Sequence, residues 1–321
     1  MDWEAYRKFV SPECNRRDFI VDWLGTRGVK AVVLPIEGHE HIYVKFDRTG
    51  YNPIFKIKTV VAHYDRFDGS PGANDNSSSV FALMHWAVLL SKTMMQHNVR
   101  LIFTDGEEIG SVAGGSGRGV GSSGSSGSVA DQGAFGLANV FKRLGITDDD
   151  VFVFDCVGRG TVPVMGHSVL PKKVAVQFRN RFIDLKDRTE NMLRISSGGN
   201  FVTAPVSYSD NAGFLACGIP AVAITMLPIE EVSKYMYDLV RVPILEAFVT
   251  NGKVPEYFDR AQLESMIPYT WKLLHTKSDN IEQDLWELYN LDKKQKTIHD
   301  LRRDIEFYDK LSLNSKRNEL S

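Results

Sequence analysis

Cysteine is scarce in this 321-residue chain: Cys14, Cys156 and Cys217 are three in number and widely separated. They form no CxxC pair, so neither a disulfide framework nor a thiolate zinc site is indicated, and a reducing, cytoplasmic setting is expected. Long apolar runs are missing too, and none reaches the roughly 20 residues a membrane helix needs. The opening Met1-Asp2-Trp3-Glu4 lacks the apolar core of a signal peptide. There is no basic surplus: 38 Lys and Arg stand against 40 Asp and Glu, a net charge of −2, which argues against nucleic acid as the main partner. Neither a serine-hydrolase elbow nor a phosphate-binding glycine loop is credible. What is present, 43% hydrophobic and 24% charged residues, is ordinary for a water-soluble enzyme. The length suits one large α/β domain or two modest ones, and the pattern along the chain reads as one domain over 1–321. Nothing speaks to the oligomeric state.

A helix is expected from Ser11, with Pro12 at its first position, an apolar face of Phe19, Ile20, Trp23 and Leu24, and an end near Gly25 or Gly28. Strands are read at Ala31 to Pro35, His41 to Phe46, Ile54 to Ala62, Val99 to Thr104 and Val151 to Phe154. Helices are read at Ser77 to Leu90 and Ala134 to Leu144, and the alternation continues through Ala221 to Thr225. This alternation predicts an α/β fold: a mixed, largely parallel sheet flanked by helices on both faces. From Gly110 to Ser128 the chain is mostly Gly and Ser, which cannot bury a core and reads as a flexible loop or an engineered linker. The tetrad Gly-Ser-Val-Ala stands at both 110–113 and 127–130. A charged helical segment is expected from about 280 to the C-terminus.

Three of these apolar runs end in chemistry. Val60-Val61-Ala62 runs into His63-Tyr64-Asp65, Leu101 to Thr104 into Asp105-Gly106-Glu107-Glu108, and Val151 to Phe154 into Asp155. In open α/β sheets, sites form beyond the carboxyl ends of parallel strands, so these polar ends are expected to converge there. Several carboxylates brought together without cations would be very costly, and a metal site removes that cost. His63 and His275 with Asp75, Glu108 and Asp155, and no cysteine, suit a pair of zinc ions sharing one carboxylate. Asp65, two residues past His63, is placed to accept the other imidazole N–H. Each piece alone has an ordinary explanation: a surface His, a solvated Glu pair, or Asp75 and Asn76 as a helix cap. Their order, each at a strand end or helix start, is what favours the site. The remaining histidines are read as surface or packing residues: His39 and His41 at the surface, His85 in its helix, and His97, His167 and His299 in polar surroundings.

His63-Tyr64-Asp65, Gly69-Ser70-Pro71-Gly72-Ala73-Asn74-Asp75-Asn76, Glu107-Glu108, Phe154-Asp155 and His275-Thr276 together resemble the co-catalytic zinc aminopeptidases. These include the bacterial leucyl aminopeptidase and aminopeptidase S type, and they are similar in fold to the glutaminyl cyclases. The resemblance covers roughly residues 12 to 290. It implies a two-zinc aminopeptidase acting on peptide substrates. Asp75 would bridge the metals, His63 and Asp155 would complete one site, and Glu108 and His275 the other. Glu107 would be the general base and Asp65 the orienter of His63. Ser209-Asp210 resembles the family's late loop, with Asp210 in a supporting role. Asn211 stands where the family usually has His, and Val206 where some members carry an oxyanion-stabilising Tyr; Tyr208 is out of register. Competing expectations are a glutaminyl-peptide cyclotransferase with a single zinc, a related carboxypeptidase or deacylase, and a non-catalytic binding domain on the same scaffold.

Overall fold

The computed structural model describes residues 2–46, 52, 54–93, 97–111, 129–168, 170 and 173–281. Most of the Gly/Ser stretch, 112–128, and nearly all of the expected C-terminal helical segment, 282–321, lie outside the described residues.

Two helices open the chain where one was expected. α1 (Trp3–Val10) starts on Asp2, whose carboxylate accepts the Ala5 N–H at 3.1 Å. It buries Tyr6, Phe9 and Val10. Ser11 ends α1 instead of starting the next helix. α2 (Arg16–Gly25) is capped by Asn15, whose side chain accepts the Asp18 N–H at 3.2 Å and donates to the Asp18 carboxylate at 2.7 Å. This reciprocal cap outcompetes Ser11-Pro12 as a start signal. Ile20, Trp23 and Leu24 face inward as expected.

The sheet has eight strands: β1 (Lys30–Ile36), β2 (His39–Lys45), β3 (Lys58–His63), β4 (Val99–Thr104), β5 (Asp150–Phe154), β6 (Val162–Gly166), β7 (Val202–Ala204) and β8 (Ala221–Leu227). Their order is β1-β2-β4-β3-β5-β8-β6-β7. β4, β3, β5 and β8 are mutually parallel, β2 and β6 run antiparallel on either side, and the expected mixed α/β fold stands. All four central strands are buried along their whole length, which is why they read as largely apolar runs without strict alternation. β3 is shorter than the expected 54–62; its first residues pass through a turn before Lys58.

The topology places the crevice. β3 leads through α3 (Ser79–Lys92) to β4 on one side, and β4 leads through α4 (Gly133–Arg143) to β5 on the other side of β3. Right-handed crossovers in opposite directions put α3 and α4 on opposite faces and open a switch point above β3. Further helices are α5 (Val176–Ser196), α6 (Asn211–Ala216), α7 (Ile229–Arg241), α8 (Ile244–Asn251), α9 (Arg260–Met266) and α10 (Tyr269–Leu273). α5 and α6 pack on β8, while α7 to α10 close a second apolar cluster over β6 with Tyr235, Phe248 and Trp271 at its centre. No helix among the described residues is long and apolar enough to cross a membrane.

One histidine departs from its expected place. His41 is fully buried, not at the surface, because it takes an inward position on β2 and its Nδ1 accepts the Asp105 N–H at 3.2 Å. Burial holds its pKa down at about 4, so it is neutral.

Candidate metal centre

Each site residue is delivered by a local feature of the sequence. β3 ends on His63, and the next residues of the chain carry Asp65. β4 stops at Thr104, and Gly106, at φ 82°, turns the chain toward Glu107 and Glu108. A side chain at Gly106 would collide with the His39 ring, only 2.3 Å from where its Cβ would sit. β5 ends immediately before Asp155. Asp75 and Asn76 were read as possible caps, but their backbone (φ −105°, ψ 94° and φ −126°, ψ 32°) is not helical, and α3 begins only at Ser79. His275 follows α10 with φ 61°, in the left-handed region that few residues other than glycine adopt.

The five ligand-type side chains meet at one place. Asp75 is central: its Oδ1 lies 3.2 Å from Nε2 of His63, and its Oδ2 lies 3.2 Å from Nε2 of His275. Asp155 Oδ1 is 3.6 Å from the same His63 nitrogen, and Glu108 Oε2 is 3.1 Å from the His275 nitrogen. His63, Asp75 and Asp155 could hold one cation, and Asp75, Glu108 and His275 another; His63, Glu107 and Glu108 form a third close group. His63 Nε2 is buried and makes no hydrogen bond. That orphaned nitrogen, aimed at two carboxylates, fits a metal ligand.

Asp65 sits behind His63. Its Oδ1 is 3.4 Å from His63 Nδ1, and its Oδ2 accepts the Glu108 N–H at 2.9 Å. One carboxylate thus ties the end of β3 to the loop after β4. The electrostatics follow from crowding. Burial by itself would lower His63, but Asp155, Asp65 and Asp75 outweigh it and raise its pKa well above the usual value. Burial also opposes protonation of His275, yet Glu108 and Asp75 lift it to about 11. Burial would raise Asp75, but the two histidines pull it far below the usual carboxylate range. Burial raises Glu107 well above its usual range; His63 opposes this, and Glu108, Asp155 and Asp210 reinforce it. Such crowding of carboxylates and imidazoles favours the uptake of positive charge, as protons or as a cation.

Other residues, Asn76 of the Gly69–Asn76 motif apart, had no mark in the sequence. Arg16 is buried, and its guanidinium donates to the carbonyls of Tyr64 (3.0 Å), Asp65 (3.2 Å) and Pro71 (2.8 Å) and to Ser77 Oγ (3.0 Å). It pins the His63–Asp65 segment to the Asp75 segment. Asn76 donates to the Phe154 carbonyl at 3.0 Å and accepts the Cys156 N–H at 3.0 Å, framing Asp155 on both sides. Phe67 stacks on the His275 ring at 4.9 Å, and Asp279 lies against the backbone at Asn74 and Asp75. An Arg before an apolar helix face or an Asp after His-Thr has no spacing signature; only the fold makes these contacts. In the late loop, Asp210 is fully buried beside the Thr104 hydroxyl, and Asn211 donates to Ser168 Oγ at 3.2 Å. Val206 packs into the second apolar cluster, and Tyr208 is exposed.

A parallel-sheet scaffold with histidine and carboxylate ligands at the strand ends is the build of a metallo-exopeptidase. Residues 49–300 match the model of peptidase family M28, and the chain belongs to that family. No curated protein sequence matches the chain. Among solved structures, the chain is similar to a Bacteroides thetaiotaomicron leucine aminopeptidase precursor (14% identity, TM-score 0.57, covering 93% of each chain). It is equally similar to a glutaminyl cyclase from the same organism (15% identity, TM-score 0.57, 93% of this chain and 94% of that one). It also resembles the Legionella pneumophila LapA aminopeptidase (14% identity, TM-score 0.53, 92% and 69%). At these identities the likeness is one of fold.

Proposed function

We propose that the chain is an aminopeptidase that holds two zinc ions and removes N-terminal residues from peptides. The observation that carries this reading is Asp75, whose two oxygens each lie 3.2 Å from a different histidine. Two ions about 3.5–4 Å apart need one shared carboxylate between them. Asp75 would bridge, His63 and Asp155 would complete one site, and Glu108 and His275 the other. When bound, the ions would supply Lewis acidity, polarising the scissile carbonyl and acidifying water.

The chain's own groups do the rest. Asp65 Oδ1 stands 3.4 Å behind His63 Nδ1, where it would orient the ring and leave Nε2 to ligate. Glu107 lies beside the ligands without being needed as one. Adjacent side chains in a turning segment diverge, so with Glu108 committed to the Asp75–His275 side, Glu107 can face the substrate. A carboxyl group whose proton affinity burial has raised is suited to accept a proton from the attacking water and pass it to the leaving amine. The three free thiols suit a reducing compartment such as the cytoplasm.

A second reading follows from one grouping. Asp75, Glu108 and His275 could hold one cation by themselves, which is what a glutaminyl-peptide cyclotransferase with a single zinc would require. Metal analysis of the purified protein, run beside a panel of aminoacyl amides and an N-terminal-glutamine peptide, separates the two. Two zinc ions per chain with release of free amino acids is the expected result. One zinc with pyroglutamate formation would overturn the aminopeptidase reading.

A further inference from the structure

Asp279 is 2% exposed and lies under the segment that carries Asp75. Its Oδ1 accepts the N–H of Asn74 at 2.7 Å, and its Oδ2 accepts the N–H of Asp75 at 3.1 Å. Its backbone carbonyl accepts the N–H of Ala73 at 3.2 Å. One residue therefore grips three successive amides. A carboxylate held by consecutive backbone N–H groups fixes the orientation of the peptide planes between them. Those planes set the direction in which the Asp75 side chain leaves the backbone.

The other end of the grip is equally fixed. Asp279 stands four residues past His275, and its own N–H donates to the Thr276 carbonyl at 3.2 Å. The Ser70 hydroxyl donates to that same carbonyl at 3.0 Å. The Asp75 and His275 segments, 204 residues apart when counted from Asp75 to Asp279, are thereby clasped into one unit.

We propose that Asp279 is a positioning residue of the metal centre. It holds Asp75 with one oxygen toward His63 and the other toward His275, so both ion sites depend on a side chain that ligates neither. The proposal rests on the two-metal reading of Asp75.

Competition with a chromophoric chelator measures zinc affinity on the full chain, its Asp279→Asn variant and an Asp259→Ala control. Asp259 caps α9, accepting the Ala261 N–H at 2.9 Å, so the control destabilises the fold away from the site. Asn keeps the shape of Asp but turns an N–H₂ toward a backbone N–H. Both zinc affinities should fall together by about 10–100-fold in Asp279→Asn, as for other groups that orient ligands. They should stay unchanged in Asp259→Ala. A folded Asp279→Asn with wild-type affinity for both ions would overturn the proposal while leaving the two-metal reading intact. A wild-type chain that takes up fewer than two ions would remove that reading and the proposal with it. Should Asp279→Asn not fold, hydrogen exchange in the metal-free wild-type chain decides. Protected amides at Ala73, Asn74 and Asp75 support the grip, and fast exchange there overturns it.

Discussion

At the amino ends of the parallel strands, Asp149 and Asp150 are buried, and each has a cation. Arg100 and the Thr59 hydroxyl meet Asp149, while Arg188 takes Asp150 with two parallel bonds of 2.7 and 2.9 Å and Lys56 stands 3.5 Å away. At the carboxyl ends of the same strands, Asp75, Glu108 and Asp155 gather around two imidazoles, and the buried guanidinium of Arg16 spends its bonds on carbonyls and a serine. One end of the sheet neutralises buried carboxylates from within the chain; the other leaves the task to protons or to ions from solution. Gathered carboxylates are expensive to bury unless cations join them, so the carboxyl end is where binding free energy can be gained. The paired amino end is structural, and the carboxyl end is where we place the chemistry.

The sharpest way to break this comparison is at Glu107. In Glu107→Gln the shape is kept and the proton acceptor removed, and kcat should fall about 10²–10⁴-fold with KM little changed and both metals retained. Glu108→Gln should lose metal as well as turnover. Near-wild-type kcat in Glu107→Gln, with metal content verified, would sink the general-base role. Removing the metals tests the carboxyl end as a whole. A chelator should lower the melting temperature and zinc restore it, since each site filled at 100 times its dissociation constant contributes roughly 2.7 kcal/mol. A melting curve unmoved by verified metal removal would leave the carboxylates without the cations we assign to them.

The paired end should respond in the opposite way. Asp150→Ala strips Arg188 of its bidentate partner and should cost about 3 kcal/mol, the low end for breaking a buried pair, because Arg188 keeps Asp184 at 2.9 Å. Its zinc affinity should match wild type. A variant that loses zinc without losing stability would reverse the assignment of the two ends.

How much of this the sequence displayed depended on whether a signal was local. β4 is legible to the residue because its apolar residues, interrupted only by Arg100, form a short run that ends at Thr104 before Asp105. The five residues we propose as ligands stand out as candidates because the sequence reads each where such a run or a helix boundary breaks into His, Asp or Glu. α1 was not, since Asp2 as its cap and the Tyr6–Phe9–Val10 face are too short a stretch to set a period. His41 was misplaced because a buried neutral histidine looks like a surface one until the Asp105 amide is seen to reach it. Arg16, Asn76 and Asp279 act by bonding backbone groups that carry no residue identity, and such partners cannot be read from spacing.

The smallest expected effect is the most specific to the carboxyl end. Asp210 is fully buried next to Thr104, and burial raises its pKa to about 7, with His63 and the Thr104 hydroxyl opposing and Asp65 and Asp155 adding to the rise. A carboxyl that holds its proton more tightly when folded contributes stability that is fully present below its unfolded pKa of about 4. That contribution is lost as pH rises through about 7, the folded value. In the metal-free protein, Asp210→Asn is neutral at every pH and lacks this loss. The variant should therefore gain on wild type between about pH 4 and pH 8 in denaturant unfolding, after starting nearly equal at about pH 4. Zinc adds positive charge beside His63 and Asp155, which favours the ionised form of Asp210 and moves its titration to lower pH. The gap between variant and wild type should then narrow when zinc is supplied. The same substitution at the paired end has no such rescue: Asp150→Asn should destabilise at both pH values, with or without zinc. If Asp210→Asn tracked wild type across this range in the absence of metal, Asp210 would be ionised throughout, and the carboxyl end would contain a cationic partner not accounted for here.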